Sequence, residues 1–249
     1  MKPAVLITGG ARRIGAAIAS KFASAGWHIV IHYGASRDQA LELANKLPSA
    51  EIYGCDLNSW DNSVAMIDAL AQRLPDWRVL INCAAVFHED TADALDPATF
   101  DEAMQVNAGT PVRMTQAYLA RATARGGRRV IQVTDQKLLN PNPDFFSYTM
   151  SKHALDSTIR MLAMARTDPH DRIYGLAPGA ILASHDQTEE EAELSHRLNL
   201  LHRRTDADEI AQAALFLSHG WLASGETLYI DSGQHLMSQP RDVLYLARQ

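Results

Sequence analysis

The sequence has little of what marks secreted, membrane-spanning or nucleic-acid-binding proteins. It contains only 2 cysteines in 249 residues, Cys55 and Cys83, and neither lies in a metal-ligand pattern, so we expect buried thiols and no disulfide framework or metal site. No apolar run reaches about 18 residues, the length of a membrane-spanning helix, and the amino terminus lacks a signal-peptide pattern. The net charge of -6 provides no basic field for nucleic acid. These absences predict a soluble, cytoplasmic protein that binds neither membranes nor nucleic acid.

What the chain does contain is a regular alternation of short apolar runs and helical patterns. Hydrophobic residues make up 47% of it, enough to bury the core of a single domain spanning residues 1–249. The runs typical of buried strands are Ala4–Ile7, Ile29–Tyr33, Ile52–Cys55, Val79–Asn82, Val130–Val133, Ile173–Leu176 and Thr227–Ile230. Strands that alternate with helices predict an α/β fold, a doubly wound and mainly seven-stranded parallel sheet with helices on both faces.

A glycine-rich turn follows the first predicted strand. Residues Thr8–Gly15 read TGGARRIG and lead into a helical pattern that ends at Gly26. Glycines let backbone N–H groups approach a pyrophosphate, and the amino terminus of a helix adds favourable positive potential. The order of strand, glycine turn and helix predicts a dinucleotide-binding unit.

The end of the second predicted strand indicates which dinucleotide is bound. An acidic residue there would favour NADH by accepting hydrogen bonds from the ribose 2′-hydroxyl, whereas arginine suits a 2′-phosphate. No acidic residue occurs before Asp38, while Arg12, Ser36 and Arg37 are available. We therefore predict NADPH; the alternative is that these arginines are ordinary surface charges.

Polar and small residues recur where the predicted strands end. In a parallel sheet these carboxyl ends lie at one edge, so the residues should form one composite site. They are Thr8, Tyr33, Asp56, Asn82, Asp135 and Pro178. A long helical pattern over Pro97–Ala124 contains Asn107, which is unfavourable in a helix interior and indicates a packing or functional task.

The stretch Val130–Asp156 contains the strongest candidates for proton transfer. A helix that begins near Ser147 places Tyr148 and Lys152 on one face, because residues four apart lie one above the other. The ammonium should lower the pKa of the phenol enough for proton exchange near neutral pH. Asp135, at the end of the preceding strand, could lie within reach. The spacing alone leaves open a surface tyrosine beside a solvated lysine.

Taken together, these residues resemble the short-chain dehydrogenase/reductase family over nearly the whole chain. The residues that carry the resemblance are Thr8–Gly15, Asp56, Leu57, Asn82, Cys83, Ala84, Ala85, Asn107, Tyr148, Lys152, Pro178 and Gly179. The resemblance implies a Rossmann fold, a nicotinamide cofactor and a homotetramer or homodimer. Three departures from the general family pattern are similar to the pteridine reductase branch, which includes the dihydromonapterin reductases. They are Arg13 in place of a glycine, Asp135 in place of the catalytic serine and Cys83 within Asn-Cys-Ala-Ala.

The resemblance also implies roles for individual residues. Tyr148 would donate the proton with the support of Asp135 and Asn107, Lys152 would hold the nicotinamide ribose, and Arg13 would contact both the cofactor phosphate and the pterin. The implied cofactor-binding residues are Thr8, Gly9, Arg12, Arg13, Ile14, Gly15, Tyr33, Ser36, Arg37, Asp56, Leu57, Asn82, Cys83, Ala84, Tyr148, Lys152, Pro178, Gly179 and Ile181. Phe87 would stack on the substrate, unless it is a core aromatic under a loop. Ala183 stands where the family has a threonine that contacts phosphate.

The predicted function is an NADPH-dependent reductase that converts a dihydropterin into the tetrahydropterin. One alternative is a general carbonyl or 3-oxoacyl thioester reductase, and another is a catalytically silent NADPH-binding regulator. The polar segment at about 183–204 is predicted to form a substrate flap, with a solvated helix as the alternative. The tail at about 234–249 should dock on the surface or enter the site of a neighbouring subunit.

Overall fold

A parallel sheet forms the centre of the computed structural model, which describes residues 2–165, 168–181, 183 and 187–248. Within these residues the seven strands are β1 (Ala4–Ile7), β2 (His28–Tyr33), β3 (Ala50–Gly54), β4 (Trp77–Asn82), β5 (Arg129–Val133), β6 (Arg172–Pro178) and β7 (Thr227–Ile230). Their order is β3-β2-β1-β4-β5-β6-β7, and every pairing is parallel. The predicted α/β fold is confirmed, and the observed strand ends differ from the predicted ones by at most two residues.

Helices cover both faces of the sheet. They are α1 (Arg13–Ser24), α2 (Arg37–Lys46), α3 (Trp60–Arg73), α4 (Pro97–Ala103), α5 (Thr110–Arg121), α6 (Phe146–Ala165), α7 (Glu189–Ser195), α8 (Ala207–Ser218) and α9 (Val243–Leu246). One core layer lies under α1 and α8, where Phe22 and Ile210 are buried, and the other lies under α3, α5 and α6, where Met66 and Ile159 are buried. None of the described helices is long and apolar enough to cross a membrane.

The sequence of β1 explains why both layers are needed. Val5 and Ile7 pack into the layer of α1 and α8, whereas Ala4 and Leu6 pack into the opposite layer. Successive side chains of a strand point to opposite faces, so a strand covered on both sides must be apolar throughout. The chain winds outwards from β1 to β3 and then returns to β4 beside β1. Ligands bind at such a switch point, beyond the carboxyl ends of the strands.

The predicted helix over Pro97–Ala124 is wrong in its continuity and in its end. A π-helical segment, Met104–Gly109, separates α4 from α5, and α5 ends at Arg121. Asn107 lies in this segment and donates from Nδ2 to Val86 O at 2.9 Å and to Ser151 Oγ at 3.0 Å. Such π-bulges are frequent at functional sites. The sequence pattern did not reveal this one, because it is held by tertiary hydrogen bonds of Asn107.

The polar segment at 183–204 is helical over only a short part of its length. α7 begins after a capping box in which Thr188 and Glu191 satisfy each other's backbone N–H groups. Residues 184–186 of this predicted flap lie outside the described residues.

Candidate active site

A cavity of about 770 Å³ lies beyond the carboxyl ends of the central strands. Most of the predicted site residues line it. They are Gly9, Arg12, Arg13, Ile14, Gly15, Tyr33, Ser36, Asp56, Leu57, Cys83, Ala84, Phe87, Asp135, Tyr148, Lys152, Pro178, Gly179 and Ile181. The topology therefore brings the glycine turn, the candidate proton donor and the candidate stacking residue to one space.

Four of the predicted residues do not line the cavity. Thr8 is buried, and its hydroxyl accepts from the backbone N–H groups of Cys83 and Ala84 at 2.9 and 3.0 Å, tying the end of β1 to the end of β4. Asn82 and Asn107 are also buried and hold neighbouring segments, whereas Arg37 is exposed at the start of α2. Thr8, Asn82 and Asn107 thus support the wall of the cavity without lining it.

The glycine turn presents backbone to the cavity. Gly9 has a φ of 63°, which disfavours any side chain, and a Cβ on Gly15 would lie 2.3 Å from Gly9 O. α1 begins at Arg13, and Arg12 at its N-cap makes no side-chain capping hydrogen bond. A helix amino terminus without a capping side chain at its N-cap is suited to an anion. The turn fits a dinucleotide pyrophosphate.

His32 supports this turn, although the sequence did not single it out. Gly9 N–H donates to His32 Nδ1 at 3.1 Å, and His32 Nε2 donates to Cys55 O at 2.9 Å. Burial lowers the pKa of His32 to about 4, so the ring is neutral at physiological pH. The only signal in the sequence is one polar residue inside an apolar strand.

Tyr148 and Asp135 form the candidate proton donor. Tyr148 donates its hydroxyl proton to Asp135 Oδ2 at 2.7 Å. Lys152 Nζ donates to Val133 O at 2.7 Å and lies 5.6 Å from the centroid of the Tyr148 ring. The phenol is thus bonded directly to the carboxylate, and the ammonium lies beneath its ring.

The expected lowering of the pKa of Tyr148 by Lys152 is wrong. Burial and the charge of Asp135 raise the pKa of Tyr148 well above its usual range. Burial also raises the pKa of Asp135 and lowers that of Lys152. The sequence showed the i, i+4 spacing, but it did not show that an acceptor carboxylate would lie closer to the phenol than the lysine. The pair is therefore suited to holding a proton and delivering it to a ligand.

Aromatic rings form the wall beside Tyr148. Phe87 stacks on Phe145 with centroids 4.2 Å apart, and it meets Tyr148 edge to face at 4.6 Å. Phe145 is buried, with 1% of its surface exposed, whereas Phe87 is partly exposed and lines the cavity. Phe87 thus combines packing against a core ring with a position at the cavity wall.

The cavity is completed by the segment at 183–204 that the sequence predicts as a substrate flap. Arg13 Nη1 donates to Ala183 O at 3.2 Å, which joins the glycine turn to the start of the predicted flap. Gln187 and His196 from this segment line the cavity. His196 is 2% exposed, and its Nδ1 has no hydrogen-bond partner among the described residues. A ligand group is one way to satisfy it.

The carboxyl-terminal tail lines the cavity of its own chain. Asp242, Val243 and Leu244 belong to the wall, and Arg241 forms an ion pair with Asp144, from Nε to Oδ2 at 2.8 Å. The tail therefore does more than dock on the surface. Asp242 is far from the other site residues in sequence, and no local motif marks it.

Both cysteines are free thiols in partly buried positions. Burial raises the pKa of Cys55 and that of Cys83 to about 11. Thiols with such a pKa are poor nucleophiles at neutral pH. They pack against the core but are half-buried, whereas the sequence predicted buried thiols.

A parallel sheet has a glycine turn at its switch point, and this turn faces a half-buried tyrosine and a buried lysine. Together these features define the class of nicotinamide-dependent oxidoreductases. Within this class, the chain belongs to the short-chain dehydrogenase/reductase family. The family model described as enoyl-(acyl carrier protein) reductase matches residues 9–235.

Individual relatives come from several branches of this family. The crystal structure of FolM alternative dihydrofolate reductase 1 from Brucella canis, complexed with NADP, is 32% identical, covers 96% of each chain and superposes with a TM-score of 0.89. A dihydromonapterin reductase from Escherichia coli is 24% identical over 93% of this chain and 96% of its own length. A 7alpha-hydroxysteroid dehydrogenase from Escherichia coli is 27% identical over 92% of each chain. These relatives act on different substrates, so membership of the family leaves the substrate open.

Proposed function

We propose that the protein is an NADPH-dependent reductase of dihydropterins that produces the tetrahydropterin. The observation that carries the proposal is the hydrogen bond from Tyr148 to Asp135 beside the ring of Phe87. A carboxyl group that shares a proton with the phenol suits an acceptor nitrogen, and a flat aromatic wall suits a flat heteroaromatic ring.

The residues at the end of β2 support NADPH as the cofactor. Arg12 and Ser36 line the cavity, and no acidic side chain precedes Asp38. Arginine and hydroxyl groups donate hydrogen bonds, and the oxygens of a 2′-phosphate accept them at neutral pH. The Brucella canis relative was crystallised with NADP. Arg37 is exposed outside the cavity wall, so we assign the main contact to Arg12.

The chemistry divides between the cofactor and the side chains of the protein. NADPH supplies a hydride to the carbon of the ring C=N bond when it is bound. Tyr148 would give its proton to the nitrogen, and the phenolate left behind would take a proton from solvent before the next turnover, while Asp135 orients the hydroxyl as its hydrogen-bond acceptor. Lys152, whose ammonium lies beneath the Tyr148 ring, stabilises the negative charge that develops on the oxygen. The product gains one hydride and one proton.

The flap segment at 183–204 supplies part of the cavity wall. Gln187 and His196 line it, and the unpartnered Nδ1 of His196 is suited to a polar group of the ligand. The tail also lines the site of the same chain, with Gln234, Gln239, Asp242, Val243 and Leu244. We also propose that the protein is a homotetramer or homodimer, since Met161, Met164 and Trp221 are exposed apolar side chains on described helices and loops.

A substrate screen tests the proposed function. NADPH oxidation is measured with dihydromonapterin, dihydrobiopterin, dihydrofolate and a 3-oxoacyl thioester at equal concentrations. We expect the highest kcat/KM with a dihydropterin. Turnover of the thioester with none of the three pterins would contradict the proposal.

A carbonyl reductase is the second candidate, because the 7alpha-hydroxysteroid dehydrogenase is as similar in sequence as the dihydromonapterin reductase. A ketone needs no stacking partner, so Phe87→Ala separates the two. A pterin reductase should lose about 10-fold or more in kcat/KM, the scale of one lost ring stack. Equal and small losses for both substrates would favour the carbonyl reductase. Steady turnover of any substrate excludes a catalytically silent regulator.

A further inference from the structure

The carboxyl-terminal tail contributes a charged side chain to the proton-donor system. We propose that Asp242 is a positioning residue of the pair formed by Asp135 and Tyr148 and that it acts through Lys137. The inference rests on the proposed role of Tyr148 as proton donor. It is independent of whether an imine or a ketone is reduced.

An unbroken series of contacts joins the tail to the phenol. Lys137 Nζ donates to Asp242 Oδ2 at 3.0 Å, and the backbone N–H of Lys137 donates to Asp135 Oδ1 at 2.8 Å. The other oxygen of Asp135 accepts from Tyr148 at 2.7 Å. One residue, Lys137, thus binds the tail with its side chain and the catalytic carboxylate with its backbone.

Burial makes the charge of Asp242 necessary. Lys137 is 4% exposed, and its ammonium donates to Asp242 and to the carbonyl oxygen of Asp144, each at 3.0 Å. Asp242 is the carboxylate in contact with this ammonium. A buried charge that loses its partner is strongly destabilised. Without the carboxylate, the ammonium would act on Asp135, whose pKa is raised by burial and lowered by the N–H group and charge of Lys137.

The tail is fixed well enough to hold Asp242 in place. Asp144, which is 2% exposed, accepts from Arg241 Nε at 2.8 Å and from the backbone N–H of Asp242 at 2.7 Å. The ring of Tyr245 stacks on Phe145 with centroids 6.0 Å apart, and its hydroxyl contacts Glu89. These anchors are independent of the bond to Lys137, so changing the charge of Asp242 need not release the tail.

The sign of the effect follows from the charges around the phenol. The ionisable groups that act on it from the surrounding elements are Asp135, Lys152, Cys83 and Asp242, and Lys137 contacts both Asp135 and Asp242. Burial and then Asp135 raise the pKa of Tyr148 most, and Asp242 raises it further. Reduction needs a protonated donor, so activity falls as the pH rises through the pKa of the donor. Removing the negative charge of Asp242 should therefore move this alkaline limb to lower pH.

The test is the pH dependence of kcat/KM for Asp242→Asn, measured with the best substrate of the wild-type protein. We expect the alkaline limb to move down by about 0.5 pH unit or more, as for a partly screened charge. Asp242→Asn combined with Lys137→Gln should restore the limb, because neither charge is then present. Tyr245→Phe is the control: it loses one tail contact, keeps the ring stack and should leave the limb in place.

The possible outcomes separate failure of the inference from failure of the proposed function. If the Asp242→Asn variant folds and the alkaline limb of its pH profile does not move, the inference is overturned. A change in the midpoint of thermal unfolding does not alter this conclusion. If that variant does not fold, Lys137→Gln alone decides, since loss of its positive charge should move the limb to higher pH and an unmoved limb overturns the inference. Full activity in Tyr148→Phe would overturn the proposed function, and the inference with it. If turnover depends on Tyr148 but Asp242→Asn leaves the alkaline limb in place, the inference is overturned and the proposed function stands.

Discussion

The two ends of the cavity are built in different ways. The end that we assign to the cofactor consists mainly of backbone from one short stretch, Gly9–Gly15, together with the side chains of Arg12 and His32. The end that we assign to the substrate combines Asp135, Tyr148 and Asp242, which come from the loop after β5, from α6 and from the tail. A site made of local backbone can be recognised from a motif. A site made of distant side chains is defined only by the fold, and small changes there can alter the substrate without altering the cofactor.

Tyr148→Phe should show the largest difference between the effect of a substitution on turnover and its effect on cofactor binding. General acid catalysis contributes about 10²–10⁴ to a rate, and the variant removes the proton donor and keeps the ring. We expect kcat to fall by about that factor, while the Kd of NADPH, measured by fluorescence titration, changes little. A similar loss in NADPH affinity would show that the two ends are not separable.

His32 links the cofactor end to the stability of the fold. Its pKa is lowered from 6.5 to about 4, so the folded state binds fewer protons than the unfolded state. Stability from this residue is present above pH 6.5 and is lost as the pH falls towards 4, by up to about 3 kcal/mol. Urea unfolding across this range should show a steep slope that His32→Gln flattens. An equal slope in both proteins would refute the assignment.

Gly15→Ala should damage the cofactor end. The added Cβ would lie 2.3 Å from Gly9 O, so the backbone must move, at a cost of about 1–3 kcal/mol. We expect a weaker Kd for NADPH in equilibrium titration. Gly109→Ala is the matched control, because its Cβ would meet Trp60 at an ordinary 3.4 Å. Equal effects of the two substitutions would mean that the glycine turn is not close-packed.

The smallest effect concerns the choice between the two cofactors. Arg12→Ala should weaken NADPH by about 10-fold, as for a lost hydrogen bond to a charged group, and leave NADH unchanged. Arg37→Ala should change neither, since Arg37 is exposed and outside the cavity wall. Competition titration measures both constants. A larger loss of NADPH affinity in Arg37→Ala than in Arg12→Ala would assign the 2′-phosphate contact to Arg37 instead of Arg12.

The sequence predicted the fold well because each strand of the sheet is covered on both faces. Val5, Leu6 and Ile7 had to be apolar, and such runs are visible without a structure. The glycine turn was visible for a similar reason, since Gly9 and Gly15 are required by local backbone geometry.

The substrate end was predicted only in part. The structure brings the predicted Tyr148 and Asp135 into contact, but the direction of the pKa shift of Tyr148 was not predicted, because it depends on burial and on a carboxylate 13 positions away in sequence. Asp242 gave no signal, because its partner Lys137 is 105 positions away. The π-helical turn around Asn107 is likewise set by tertiary hydrogen bonds and leaves no mark on the periodicity.

The most direct test of the account is Asp135→Ser, which places the serine of the wider family beside Tyr148. The measurement is kcat/KM for NADPH oxidation with the preferred dihydropterin, together with the Kd of NADPH. The account predicts a loss of about 10²-fold or more in pterin turnover, the scale of a lost proton-transfer partner, with the Kd within about 3-fold of wild type. Pterin turnover that stays at the wild-type level would contradict it.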